Sequence, residues 1–315
     1  MIFWTLFGIS ILISILMFDI RFSVTGDDSA YVIRANDFVK HFAYPGFQGP
    51  LYPIVLSPVV WMFGISSIPL KGLSIIFMAG FFYFSYKAFR NRIPATLTVA
   101  VLSLVAVNAF ILYFASQTYS EMFFMFIQAL IIYVIFIFFL DRDGARPFSG
   151  TLRVHMLLGL CILCLGLTRS IGFSAAIAIP AYFLIRGRWK DMLLVILMSV
   201  IMIALFQGIK FLVWGNADFN LSAQGNALLN KNYYQPVHGR EDLAGFMQRI
   251  IQNSNSYITR HFYIMLGLRS YSVLLAIVPW INIATCMVFF AGTGLFFRKN
   301  RYILFISVYT LVFLL

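Results

Sequence analysis

Two adjacent carboxylates are the first residues of this sequence that could do chemistry. Asp27 and Asp28 follow Gly26, shortly after an apolar run at the beginning of the chain. Because neighbouring acids repel each other, we expect one of them to act as a base, or the two to share a cation. The alternative is a solvated loop in which Asp28 caps a helix running from Ser29 to His41.

A third acid, Glu121, stands at the beginning of an apolar run that continues to Leu140. A carboxylate at the edge of the hydrocarbon layer of a membrane is costly in free energy, and such residues usually have a function. The alternative is that Ser120 and Glu121 cap the N-terminus of a helix, where the helix dipole favours negative charge.

Arg169 is a cation in a short polar turn, Thr168–Ser170, between two further apolar runs. A guanidinium group can hold a phosphate through two parallel hydrogen bonds. It can also extend along the lipid until it reaches a phospholipid phosphate. The residue types alone leave both interpretations open.

The segments that must position these residues are strongly apolar. Hydrophobic residues make up 61% of the 315 residues and charged residues only 11%, a composition that requires lipid as the solvent. A helix crosses a bilayer with roughly 20 mostly apolar residues, and about eight runs are predicted to do so. These runs are Ile2–Phe18, Ile68–Phe89, Ile93–Phe114, Met122–Leu140, Met156–Leu167, Ile171–Ile185, Met192–Trp214 and Val273–Phe297. A further span is predicted to start at Tyr302–Leu315 and to be cut off by the end of the sequence.

Basic residues are concentrated in short clusters that follow every second predicted span. The clusters are Lys87–Arg92, Arg142–Arg153, Arg186–Lys190 and Arg298–Arg301. The positive-inside rule places their side of the membrane in the cytoplasm. Because the net charge of +12 is spread over these clusters and not along one soluble face, we predict no nucleic-acid partner.

The opposite, extracytoplasmic side receives the outer loops 19–67 and 215–271. It also receives all the candidate residues, so Asp27, Asp28, Glu121 and Arg169 are predicted to converge at one membrane face. The apolar stretch Pro50–Ile65 is not counted as a span, because it is short, contains three prolines and would otherwise reverse the side of every later basic cluster. We predict an interfacial or re-entrant helix there.

Four segments together resemble one family. They are Gly26-Asp27-Asp28-Ser29-Ala30-Tyr31, then Gly49-Pro50-Leu51-Tyr52-Pro53 followed by Phe63-Gly64, then Ser120-Glu121, then Leu167-Thr168-Arg169-Ser170-Ile171-Gly172. In order, they are similar to the acidic pair with a following tyrosine, the juxtamembrane PPLYP…FG segment, the acid of the fourth span and the LT(R/K)xxG turn of membrane-embedded glycosyltransferases of the GT-C class. The branch they resemble contains the protein O-mannosyltransferases and the lipid A aminoarabinose transferase.

The resemblance implies an all-α, GT-C-like transmembrane domain over residues 1–315, with juxtamembrane helices in the loop 19–67. It implies an inverting transfer of a sugar from a polyprenyl phosphate donor to a lipid, glycan or protein acceptor, at the outer face of a bacterial cytoplasmic membrane.

The same resemblance implies roles for single residues. Asp27 would be the general base, and Asp28 and Glu121 its electrostatic partners or the ligands of a divalent metal ion. Arg169 would contact the donor phosphate, and Tyr31 and Tyr52 would be further substrate-binding residues.

One departure and two other functions are left open by the sequence. Gln48-Gly49 stands where the aminoarabinose transferase pattern has Glu-Lys, so a lysine contact to the donor phosphate is missing. A transporter or flippase of lipid-linked or amphipathic substrates would also have many spans, although no acid or base is predicted in the middle of one. A non-catalytic scaffold would leave the acidic pair without a purpose.

Overall fold

The computed structural model describes residues 2–19, 21–23, 26–46, 48–141, 151–215, 239–257 and 300–314, together with single positions and short pairs between 230 and 295. Within these residues the regular structure is helical, and an isolated bridge joins Asn230 to Arg240. The predicted all-α fold class is therefore confirmed.

The helices with full bounds are α1 (Ile2–Leu16), α2 (Asp27–His41), α3 (Leu51–Phe63), α4 (Ser67–Phe89), α5 (Ala95–Ala106), α6 (Ala109–Ala115), α7 (Ser120–Ile135), α8 (Thr151–Thr168), α9 (Ala175–Ile185), α10 (Trp189–Trp214), α11 (Leu243–Ser256) and α12 (Arg301–Leu314). A π-helical turn, Phe136–Leu140, continues α7. A 3₁₀ turn, Ser170–Ser174, precedes α9.

Three of these helices are long and apolar enough to cross a membrane. They are α4, α7 with its π-helical continuation, and α10, and a fourth span is added if α5 and α6 are counted as one. Shorter apolar helices cover four more predicted spans, namely Phe3–Leu16, Leu152–Thr168, Ser170–Ile185 and Arg301–Phe313. The predicted span Val273–Phe297 lies outside the continuously described residues. The described residues thus contain helices that can cross a membrane, but the predicted number of about eight spans stays a prediction.

The predicted span Ile93–Phe114 is divided into two helices. The axes of α5 and α6 differ by 59°, and Asn108 stands at the break. The Asn108 side chain accepts hydrogen bonds from the backbone N–H groups of Phe110 at 3.0 Å and Ile111 at 3.4 Å. Asparagine favours this N-cap position because its short side chain replaces the hydrogen bonds that a first helical turn lacks. The polar residue therefore starts a new helix.

The chain divides into two compact units, residues 1–173 with 194–226, and residues 174–193 with 227–315. In the second unit, α9 packs against α12 through Tyr182 and Phe305, whose ring centroids are 5.2 Å apart. The residues predicted to do chemistry all belong to the first unit, which is described from here on.

Aromatic contacts fix the directions of the helices in the first unit. The rings of Phe77, in the middle of α4, and Phe123, near the beginning of α7, lie 4.7 Å apart, and those of Phe89 and Phe136 lie 5.5 Å apart near the ends of the two helices. The two helices are therefore parallel. The ring of Phe3 stacks on that of Tyr86 at 5.8 Å, so α1 runs antiparallel to α4.

Helix α8 is antiparallel to α7, because its His155 ring lies 5.1 Å from the Phe139 ring at the end of α7. The last residues of α1 and α8 and the first residues of α4 and α7 consequently meet at one end of the unit, which we call the site end. At the opposite end, Arg92 Nε donates to Asp141 Oδ1 at 3.0 Å.

Candidate functional site

Asp28 lies buried in the first turn of α2, at the site end. Helix α2 begins at Asp27, earlier than the predicted Ser29, and Gly26 occupies the N-cap position without a side-chain cap. The Asp28 carboxylate accepts hydrogen bonds from the Ser23 hydroxyl, from the Ser23 backbone N–H at 3.1 Å and from the Ser29 backbone N–H at 2.8 Å. Its side chain is 2% exposed. Asp28 therefore ties the segment before α2 to the start of the helix.

Asp27, in contrast, is partly exposed and begins a chain of hydrogen bonds. Its Oδ2 accepts a bond from Gln48 Nε2 at 2.7 Å. Gln48 Oε1 accepts a bond from the Tyr31 hydroxyl at 2.6 Å. The Tyr31 oxygen in turn lies 3.0 Å from Ser120 Oγ at the first residue of α7. We call this series the Asp27–Ser120 chain.

Donors and acceptors are ordered along the Asp27–Ser120 chain. A tyrosine hydroxyl carries one hydrogen, which is used towards Gln48, so the Ser120 hydroxyl donates to the Tyr31 oxygen. The pKa of Tyr31 is raised, first by burial of the hydroxyl and then by the nearby carboxylates of Glu121 and Asp27. Tyr31 therefore keeps its proton and remains a hydrogen-bond donor.

Glu121 and Arg169 form an ion pair next to the end of that chain. Their side chains are 25% and 28% exposed, respectively. Burial disfavours the charged form of Arg169. The attraction of Glu121, added to that of weaker partners, outweighs this effect and raises the pKa of the guanidinium. Arg169 is a permanent cation that can be reached from solvent or lipid.

The capping alternative for Ser120 and Glu121 holds only for the helix dipole, because neither residue is the N-cap of α7. Tyr119 occupies the N-cap position of α7, without a side-chain hydrogen bond to the helix. The Ser120 hydroxyl faces Tyr31, and the Glu121 carboxylate faces Arg169. Glu121 still gains from the positive end of the helix, because it lies in the first turn.

Lys71 is a charged residue at the site end that the sequence reasoning missed. It is 0% exposed, and its ammonium group donates to the backbone carbonyls of Asp19 at 2.5 Å and Arg21 at 3.4 Å. It therefore holds the segment that presents Ser23 to Asp28, and the charge of Asp28 attracts it. A lysine one turn inside the predicted span Ile68–Phe89 was the available signal, because such a residue needs a buried partner.

Gln48 and Gly49 were noticed in the sequence only because they depart from a family pattern. Gln48 is the central member of the Asp27–Ser120 chain. Gly49 packs directly on the backbone carbonyls of Leu167 and Thr168 and leaves no space for a Cβ atom. Because Arg169 follows Thr168, this contact joins the segment of Gln48 to the turn of Arg169.

We expect Gly49→Ala to lower stability. The added Cβ would overlap two backbone carbonyls, which cannot move aside as a flexible side chain can, and overpacking of this kind costs about 1–3 kcal/mol. Thermal unfolding of the protein in detergent measures the effect. Gly72→Ala is the matched control, because nothing lies within 4 Å of its added Cβ. Equal melting temperatures for both variants would contradict the close contact at Gly49.

Tyr31 and Tyr52 support the site from behind. They are 1% and 0% exposed, and their rings are perpendicular with centroids 4.9 Å apart. Their contact with Phe123, whose ring lies 6.1 Å from that of Tyr52, continues into the packing of α7. Substrate binding by these two tyrosines stays a prediction.

A divalent metal ion on Asp28 and Glu121 also stays a prediction. In the described part of the chain, no group of three or more His, Cys, Asp or Glu side chains could hold a metal ion. The Asp28 oxygens accept bonds from Ser23 and Ser29, and Glu121 is paired with Arg169. Both carboxylates therefore already have protein partners, and no step below depends on a metal.

The fold and the site together define a helical protein with membrane-competent helices and a charged site at one end of its first unit. No family model, no curated protein and no solved structure matches the chain.

Proposed function

We propose that the protein is a membrane-embedded glycosyltransferase that moves a sugar from a polyprenyl phosphate donor to a lipid, glycan or protein acceptor. The observation that carries the proposal is that the Asp27–Ser120 chain runs from a partly exposed carboxylate, Asp27, to Ser120, whose sequence neighbour Glu121 pairs with Arg169. A base and a phosphate-binding cation at the same end of the helical unit are what such a transfer requires.

In the proposed reaction, the acceptor hydroxyl oxygen attacks the anomeric carbon of the donor sugar. Asp27 takes the proton of that hydroxyl as the new C–O bond forms. The bond between the anomeric carbon and the phosphate oxygen breaks, and its electron pair leaves with the polyprenyl phosphate. Attack from the side opposite the phosphate inverts the anomeric configuration.

Arg169 stabilises the leaving group in this mechanism. The phosphate gains one negative charge as it leaves, and a guanidinium group stabilises that charge through hydrogen bonds from its planar N–H groups. Glu121 orients Arg169, whereas Asp28 and Lys71 hold the segment in front of α2. The partly exposed carboxylate of Asp27 and guanidinium of Arg169 then do the chemistry, and the buried charges of Asp28 and Lys71 keep the segment in front of α2 in place.

We place the site end on the extracytoplasmic side of the membrane. In the first unit, the basic residues Lys87 and Arg92 lie at the opposite end, where the positive-inside rule expects the cytoplasm. A polyprenyl chain can deliver an activated sugar to the outer side, where no nucleotide sugar is supplied.

Thiol labelling is expected to confirm this orientation. In a cysteine-free background, Ser29→Cys should react from outside intact cells with a membrane-impermeant thiol reagent. Lys87→Cys should react only after the cells are permeabilised, which serves as the control that position 87 is reactive. Labelling of position 87 but not 29 in intact cells would reverse the orientation and exclude an outer site.

Turnover of a labelled donor tests the proposed function. Proteoliposomes containing the protein would receive radiolabelled sugar on polyprenyl phosphate together with cell-envelope extract as the source of acceptor. We expect free polyprenyl phosphate to be released and the label to appear in a product of the extract. Consumption of the donor should depend on the protein and on the extract. Protein-dependent movement of intact donor across the vesicle membrane, without turnover, would exclude the enzyme.

That second outcome would describe a flippase or transporter, which one observation favours. The break between α5 and α6 divides an apolar stretch at Asn108, and transporters often use discontinuous helices. In transporters, however, such breaks surround a central charged site. The charged residues of this site lie at the site end, which is why transfer is the function proposed here.

A further inference from the structure

Gln48 uses both ends of its amide within the site. Its Oε1 accepts a hydrogen bond from Tyr31, and its Nε2 donates one to Asp27. A lysine at this position could donate but not accept, and a glutamate could accept but not donate. An amide of this length is the side chain that completes both bonds.

The end of the amide that faces Tyr31 is the fixed end. The Tyr31 ring is buried, it packs perpendicular to the buried ring of Tyr52, and its hydroxyl is held a second time by Ser120. Because the oxygens of a carboxylate accept hydrogen bonds, Nε2 faces Asp27, and Oε1 is left to accept the bond from the Tyr31 hydroxyl. The Gln48 Nε2 group that donates to the Asp27 carboxylate is thereby held in one orientation.

The neighbouring Gly49 adds a second restraint. Its contact with the carbonyls of Leu167 and Thr168 places the loop against the turn that carries Arg169. Gln48 therefore reaches Asp27 from a segment whose distance to Arg169 is fixed by backbone packing.

We propose that Gln48 is a positioning residue that holds Asp27 at a set distance and orientation relative to Arg169. This inference rests on the proposed function, because the two residues it relates are the base and the phosphate-binding cation of that reaction. Gln48 acts through Asp27 and does not itself touch the reacting atoms.

Three substitutions separate the two bonds of Gln48. Gln48→Met keeps the length and removes both bonds, Gln48→Glu keeps only the acceptor, and Gln48→Lys keeps only the donor. We expect Gln48→Met to lower kcat about 10- to 100-fold, the loss expected for a hydrogen bond to a charged group. The KM for polyprenyl phosphate sugar should stay within about twofold, since Arg169 is untouched. Gln128→Met, the same change on α7 outside the network, is the matched control and should leave kcat unchanged.

A double-mutant cycle distinguishes positioning from general stability. In the Asp27→Asn background, adding Gln48→Met should not lower the residual rate further, because the group that Gln48 positions is no longer a base. A residue that only stabilised the fold would lower the rate by a similar factor in both backgrounds, and that result would overturn the inference.

A second cycle needs no activity. The melting temperatures of Gln48→Met, Asp27→Ala and the double variant should be non-additive, because each single change breaks the same hydrogen bond. The pair Gln48→Met with Asp141→Asn, at the opposite end of the unit, should be additive.

The two cycles keep the two hypotheses apart. Additive melting temperatures for Gln48 and Asp27 would overturn the positioning role, whatever the activity of the wild-type protein. Non-additive melting temperatures together with no turnover of polyprenyl phosphate sugar by the wild-type protein would refute the glycosyltransferase function, and the catalytic part of the inference with it.

Discussion

Asp27→Asn is expected to reduce sugar transfer to a small residual rate while the protein still folds and inserts. Asparagine keeps the shape of the side chain and can still accept the hydrogen bond from Gln48 Nε2, but it cannot take the proton of the acceptor hydroxyl. General-base catalysis typically contributes about 10²–10⁴-fold in rate, or roughly 3–5 kcal/mol of barrier. The initial rate at saturating donor should therefore fall strongly in Asp27→Asn, while the melting temperature stays close to that of the wild-type protein.

The neighbouring acids provide the controls for this result. Asp28→Asn should lower stability more than Asp27→Asn does, because one amide nitrogen would face donors from Ser23 or Ser29 that now bond to a buried carboxylate. Its effect on the rate should be smaller, and Glu121→Gln should lie between the two. Full activity in Asp27→Asn with an inactive Asp28→Asn would show that Asp28 is the base. Full activity in both would exclude the mechanism and favour transport.

Arg169→Lys is the second change with a large expected effect. Lysine keeps the positive charge but loses the planar pair of donors that can hold a phosphate at two points. The loss of one charge-assisted hydrogen bond, about 1.5–3 kcal/mol, corresponds to a KM for the donor roughly 10- to 100-fold higher. Steady-state kinetics with polyprenyl phosphate sugar would measure it.

Arg92→Lys is the matched control for Arg169→Lys. Arg92 also forms an ion pair, with Asp141, but at the opposite end of the unit. Its replacement should alter stability and leave the KM for the donor unchanged. A donor KM and a kcat that are both unchanged in Arg169→Lys would assign Arg169 to a purely structural pairing with Glu121.

The apolar helices were predictable from the sequence, because long runs without charge can be satisfied only in lipid or in a protein core. The stretch Pro50–Ile65 does contain a short helix, α3, of 13 residues, whereas its interfacial or re-entrant position stays a prediction. The division of the predicted span at Asn108 was not foreseen, because one polar residue hardly changes the mean hydropathy of a run. Its effect comes from capping geometry, which hydropathy does not measure.

Contacts within the site were harder to predict. The approach of Glu121 to Arg169 was expected only as a shared membrane face, and the ion pair joins residues 48 positions apart. The bond between Tyr31 and Ser120 joins residues 89 positions apart. Gln48 was noticed only as a departure from the family pattern, and its role was not predicted, because nothing in the sequence shows that a neutral amide donates and accepts hydrogen bonds at once. Long-range partners of this kind depend on helix packing, which no local pattern in the sequence encodes.

In the proposed reaction, the Glu121–Arg169 ion pair would affect which of the phosphates in a membrane can bind at the site. An arginine that carries its own counter-ion attracts a passing anion less than an isolated arginine would, because the anion meets a charge that is already offset. Phospholipid headgroups are far more abundant than any sugar donor, and charge alone would let them crowd the site. With Glu121 in place, an anion binds well only if it accepts hydrogen bonds from the remaining guanidinium N–H groups, in their plane and at their depth. In the proposed enzyme, the ion pair would lower the affinity for anions in general and thereby favour the donor phosphate over phospholipid headgroups.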